Sequence, residues 1–167
     1  MATAKKPRLS PTNISLAGEV ARDVQLDAIL LRKAQVTSDV DLEAAANHLD
    51  VSQQHRSSYT FDGERSRIAV TVALRLQLTD SESRGPVVLS VSAEYRLLYS
   101  VPAGKTYRPE ALKYFGELNG LVNIWPYWRE LIHTVAARVG LGSITLPVYR
   151  AVPKPVRAGK RSKQAPS

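Results

Sequence analysis

The 167-residue chain contains no cysteine, so disulfides, thiolate metal sites and thiol nucleophiles are all excluded. A reducing compartment suits such a sequence. Nowhere does it offer the roughly 20 successive apolar residues that a membrane-spanning helix needs. The opening stretch MATAKKPRLSPTNISLAGEV also lacks the apolar core of a signal peptide. These absences lead us to expect a cytoplasmic protein with no membrane insertion.

Acidic residues are missing from both ends. Lys5, Lys6 and Arg8 near the start, with Lys154, Arg157, Lys160, Arg161 and Lys163 near the end, account for the whole formal net charge of +8. The remaining 15 Lys and Arg are balanced by 15 Asp and Glu lying between Glu19 and Glu130. The body is therefore neutral and the ends are basic. Such ends read as solvated extensions with a weak, non-specific attraction for anions, not as a specific nucleic-acid surface.

Catalytic signatures are missing too. Gly104-Lys105-Thr106 suggests a phosphate-binding loop, but the position that must hold the first glycine is Tyr99. Gly140-Leu141-Gly142 lacks the third glycine of a dinucleotide fingerprint and precedes a strand-like stretch. His48, His55 and His133 are too scattered to hold a metal. No Gly-x-Ser-x-Gly elbow occurs, and Glu117 and Glu130 have no spacing that marks an acid–base pair. Neither enzyme activity, nor a metal, nor a cofactor is expected.

What is present is periodicity. Val24, Leu26, Ala28, Leu30, Ala34 and Val36 recur at every second position, while Ile29 and Leu31 fill the other face, as in a strand covered on both sides or paired with a partner. The segment SDVDLEAAANHLD, with Ser38 as N-cap, predicts a short helix. Ser57 to Phe61 reads as a small strand, followed by an Asp62-Gly63 turn. Ile68 to Leu78 and Val87 to Tyr99 alternate without a break, the two clearest strands in the chain. Beyond Pro109 the apolar spacing becomes helical through Leu112, Phe115, Leu118, Trp125, Trp128, Ile132 and Val139. Because an interior proline costs a helix about 3 kcal/mol, the main helix is expected to start at Pro126, and Arg138 with Gly140 to end it.

The fold class that follows is α+β: a four-stranded antiparallel sheet followed by a main helix packed on one face. Residues 1–18 are expected to form a flexible lead-in, 19–150 the folded domain, and 151–167, rich in proline and basic residues, a disordered tail.

The helix opens with Asn123-Ile124-Trp125-Pro126-Tyr127-Trp128-Arg129-Glu130. This stretch resembles the Asn-x-Leu-Phe-Pro-Tyr-Ala-Arg-Glu signature of the SecB family of export chaperones, and Leu146-Pro147 resembles the family's Leu-Pro position after the helix. The likeness covers residues 22–149 in order of elements and 107–149 in motif. It implies an ATP-independent holdase, a homotetramer built as a dimer of dimers, and grooves that accept unfolded or aggregation-prone polypeptide. Tyr59, Phe61, Trp125, Trp128 and Leu146 are the expected polypeptide-binding residues, since aromatics give large contact area at little entropic cost. Asn123, Pro126, Tyr127, Arg129 and Glu130 are expected to serve folding and assembly.

Two departures refine the reading. Family members continue after Leu-Pro into a final helix, whereas here Val148-Tyr149-Arg150 runs into the basic tail. They also dock the translocation motor through acidic surface, which a neutral body with cationic ends does not supply. A family branch that protects antitoxins in toxin–antitoxin systems shares the shortened C-terminal region. A dedicated antitoxin client is therefore favoured over general delivery of preproteins for export.

Overall fold

The computed structural model describes residues 11–38, 49–80, 87–141 and 144–149. The element order is α1 (Pro11–Ala21), β1 (Gln25–Ser38), β2 (Leu49–Asp62), β3 (Arg67–Asp80), β4 (Val87–Ser100) and α2 (Pro109–Arg138). The strands form one four-stranded antiparallel sheet, as expected, and their order in it is β1-β4-β3-β2.

Alternation decides which side of the sheet is covered. Ile68, Val70, Val72, Leu74, Leu76 and Leu78 of β3 are buried with 2% exposure or less. Their register partners on β4, from Leu89 through Tyr99, are buried on the same face. The helix α2 packs there. A Cβ built on Gly116 would lie 3.6 Å from Tyr59 Cβ, and one on Gly120 would lie 2.8 Å from Val70 Cγ1. No described helix is long and apolar enough to cross a membrane.

The helix does not start at Pro126. It begins at Pro109, in the first turn where the missing amide is harmless, and carries Pro126 in its interior. Both Pro126 and Val122, whose carbonyl loses its helical donor, lie on the exposed side. The opposite side buries Ile124, Trp125, Trp128 and Ile132. Each such side chain contributes about 1.5–3 kcal/mol on burial, so two of them offset the proline. At the other end the sequence expectation holds: Arg138 lies in the last turn, and Gly140, at φ 84°, lets Leu141 N donate to Ala136 O.

Three further corrections concern local structure. A helix covers Pro11–Ala21, where the sequence suggests structure only from near Glu19. The helix α1 starts at a proline, buries Ala17 and Val20, and packs on α2. The strand expected over Ser57–Phe61 runs from Leu49 to Asp62, in full register with β3. The helix predicted from Ser38 lies mostly outside the described residues, and its last two positions, Leu49 and Asp50, are strand. In the β2–β3 turn, the residue with positive φ is Ser66 at 49°. Its carbonyl accepts from Val101 N at 2.9 Å, while Asp62 Oδ1 accepts from Arg65 N at 3.0 Å.

Candidate functional site

The expected binding residues fall into two groups along α2. The first gathers on the edge strand β2, where Tyr59 and Phe61 share the helix-side face because they pair with buried Val70 and Ile68. Tyr59 donates its hydroxyl proton to Pro109 O at 3.2 Å. Phe61 meets Tyr107 edge to face with ring centroids 6.1 Å apart. Both β2 rings are half-buried, so each is held in place while leaving apolar surface open.

Tyr107 is fixed by charge as well as by packing. Its hydroxyl donates to Asp23 Oδ2 at 3.3 Å, and Lys105 Nζ pairs with the same oxygen at 2.8 Å. The lysine holds the Asp23 carboxyl below the usual range, while burial and then the nearby carboxylate push the Tyr107 phenol up. Arg108 and Glu19 form a second ion pair beside it. Together these contacts tie the end of α1 to the segment that leads into α2.

The second group forms where the chain returns after α2. Trp125, 8% exposed, donates its indole N–H to Pro147 O at 2.9 Å, and its ring lies 5.4 Å from that of Tyr149. Leu146 is buried in the core cluster at 6% exposure. The Tyr149 phenol is pushed up by burial. Gly116, against which Tyr59 sits, and Trp125 are nine residues apart, about 13 Å along the helix axis, so the two groups are separate.

Trp128 belongs to neither. It has 0% exposure and is the largest fully buried side chain, so its place in the isolated chain is core, not a client-facing surface. The motif residues divide similarly. Asn123 Nδ2 donates to the buried Tyr99 hydroxyl at 3.0 Å, and Glu130 accepts from Thr134 Oγ1 at 3.2 Å. Tyr127 is 50% exposed. Trp128 Nε1 and Arg129 Nε are buried with no hydrogen-bond partner among the described residues.

Sequence reasoning missed Tyr107 and Tyr149, which lie in irregular segments without periodicity; their only signal is an aromatic two positions from a proline. It also did not single out the exposed apolar residues of β1 as a surface, though Ile29 and Leu31 broke its alternation. Leu26, Leu30, Leu31 and Val36 are 38–52% exposed on an edge strand that, among the described residues, pairs only with β4. Among the described residues, no cluster of His, Asp or Glu has the geometry of a metal site.

No protein-family model matches this chain, and no curated protein matches it in sequence. Solved structures do match. The SecB-like chaperone Rv1957 of Mycobacterium tuberculosis, solved in complex with a ChAD peptide from the antitoxin HigA1, superposes with a TM-score of 0.71. The match covers 81% of this chain and 97% of that one, at 18% identity. The fold is that of a SecB-like chaperone. A protein of unknown function from Streptococcus agalactiae also aligns, at TM-score 0.44 and 8% identity over 75% of this chain and 97% of that one, too distant to carry any argument. The SecB-like fold accounts for the one-sided sheet and the long helix, and it agrees with the resemblance of the motif around Pro126.

Proposed function

We propose that the protein is an ATP-independent holdase that binds unfolded or aggregation-prone polypeptide, with an antitoxin of a toxin–antitoxin–chaperone system as its favoured client. The observation that carries this reading is the fold shared with a chaperone solved with an antitoxin peptide. The half-buried rings of Tyr59, Phe61, Tyr107 and Tyr149 give it a local basis, because rings that are already held lose little entropy when an apolar segment lies on them. Tyr59 and Phe61, with Tyr107 and Tyr149, are the contacts proposed, and the buried Trp125 and Leu146 are proposed to back the second group. Trp128 supports the surface from beneath.

Self-assembly into a homotetramer, a dimer of dimers, belongs to the same proposal. Among the described residues β1 is an edge strand of 14 residues, with outward-pointing backbone groups at alternate positions beside exposed Leu26, Leu31 and Val36. Val122 and Tyr127 leave a second apolar surface on α2. General delivery of preproteins for export is the alternative client role; docking to a translocation motor is not proposed for this chain. Work would be done in the cytoplasm without nucleotide.

The test is light scattering from a chemically unfolded client diluted into buffer. A near-stoichiometric amount of the purified protein should delay aggregation without nucleotide. A monomer that leaves the aggregation curve unchanged would sink the reading.

A further inference from the structure

The client-binding reading uses only the helix side of the sheet, and the other side has a charge pattern of its own. Strand register places Arg96 in one row across that face, Lys33, Glu94 and Arg56 in the next, and Arg75 in the third. Their neighbours in these rows are uncharged: Leu30, Thr71 and Ser58 beside Arg96, Ala73 in the second row, and Gln35, Ser92 and Gln54 beside Arg75. Rows lie about 7 Å apart and strands about 4.8 Å apart, so four cations and one acid share a patch roughly 14 Å across.

Among the described residues, none of these cations forms an ion pair. Arg56, Arg75, Arg96 and Lys33 are all exposed. Among the described residues, the cations found in ion pairs are Arg65, Lys105 and Arg108. Asp50 and Asp62 lie six positions to either side of Arg56 on β2, about 20 Å along the strand. That exceeds the roughly 8–10 Å over which salt screens surface charge. A shallow depression of about 400 Å³ lies among Arg56, Ala73, Arg75 and Ser92. A body that is neutral overall thus concentrates positive charge at the centre of one flat face.

The chemistry of the face selects the anion. Single-stranded nucleic acid is held by cations together with aromatic platforms on which bases stack. Tyr59, Phe61, Tyr95 and Tyr99 all share the register of the buried, helix-side residues, so among the described residues this face has no ring. Carboxylates need none, because an arginine guanidinium matches a carboxylate through two parallel hydrogen bonds. The chain's own ends carry the same sign of charge and are not the occupant. We propose that the outer face of the sheet docks an acidic, extended segment of a partner polypeptide, held by Arg56, Arg75 and Arg96 with Lys33 at the rim. The proposal does not rest on the holdase reading, since the two faces share no residue.

The test uses the full chain and a dye-labelled poly-glutamate peptide read by fluorescence anisotropy, with single-stranded and duplex DNA of equal charge as parallel probes. Poly-glutamate should bind, and binding should weaken between about 50 and 200 mM salt. The triple variant R56Q/R75Q/R96Q, with both basic ends intact, should lose about tenfold or more in affinity, while client protection in the scattering assay is retained. Unchanged affinity in a folded triple variant would overturn the proposal, and so would DNA binding that is lost in this variant while poly-glutamate binding persists. Should that variant fail to fold by circular dichroism, a poly-glutamate peptide bearing a photoreactive group decides instead. Cross-links to the strands are expected; cross-links confined to residues 1–10 and 150–167 would overturn it.

Discussion

Gly120 shows how closely α2 sits on the sheet. A Cβ there would meet Val70 Cγ1 at 2.8 Å and Val72 Cγ2 at 3.1 Å, whereas at Gly116 the nearest atom is 3.6 Å away. Either glycine-to-alanine change gains up to about 1 kcal/mol of helix propensity, but overpacking at Gly120 costs about 1–3 kcal/mol. Urea melts should therefore show Gly120→Ala destabilised and Gly116→Ala neutral or stabilised. Trp128 gives a second contrast. Trp128→Ala should cost about 3–5 kcal/mol through the cavity it leaves. Trp128→Phe keeps most of the ring and removes an N–H without a hydrogen-bond partner among the described residues, so it should cost clearly less in the same melts.

Tyr99 adds a pH dependence at the same scale. Burial pushes its phenol up to about 12, partly opposed by the hydrogen bond from Asn123. An unfolded tyrosine ionises near pH 10, so above about pH 10 the unfolded chain releases a proton that the folded chain keeps. The stability contributed by Tyr99 is fully present below that pH and is lost as pH rises towards about 12, by up to about 1.4 kcal/mol per pH unit. Tyr95 and Tyr149, also raised by burial, act in the same direction. Melts at a series of alkaline pH values should show falling stability, with a shallower slope in Tyr99→Phe.

Among the elements, β1 is the one whose role depends on what lies outside the chain. Leu31 and Val36 are 52% and 44% exposed, so replacing both by lysine should change the stability of a single chain by no more than about 0.5 kcal/mol per site. The same L31K/V36K variant should sediment as a smaller species than the wild type; sedimentation identical to that of an assembled wild type would remove β1 from the interface. The elements also differ in how they declare themselves. Strands β3 and β4 were legible because one side of each is buried along its full length and alternation records that burial. Edge strand β2 showed only at Ser57–Phe61, because Ser52, Gln53, Gln54, His55 and Arg56 carry no apolar alternation and are held by pairing with β3. Helix α1, short and opening on Pro11, is specified by packing on α2, which no local pattern reports. Pro126 misled as a helix start because its local cost is visible in sequence, whereas the burial of Trp125 and Trp128 that offsets it is tertiary. The aromatic groups were half legible: Tyr59, Phe61 and Trp125 stood out, but Tyr107 and Tyr149 acquire meaning only through Phe61, Asp23 and Trp125.

At the scale of the whole molecule, the sheet separates two surfaces: a helix side with partly open rings and an outer side with concentrated positive charge. The basic ends are a third source of charge, and deleting residues 1–10 and 151–167 should lower any non-specific DNA binding and its salt dependence while leaving the melting transition in place. In the proposed function, the aromatic groups flanking α2 receive non-native polypeptide. The direct measurement is the affinity for a labelled, unfolded client, by fluorescence anisotropy, of the wild type and of F61S/Y149S, each verified as folded and assembled. The variant is expected to lose about tenfold or more in affinity; equal affinities would exclude these rings as the binding surface.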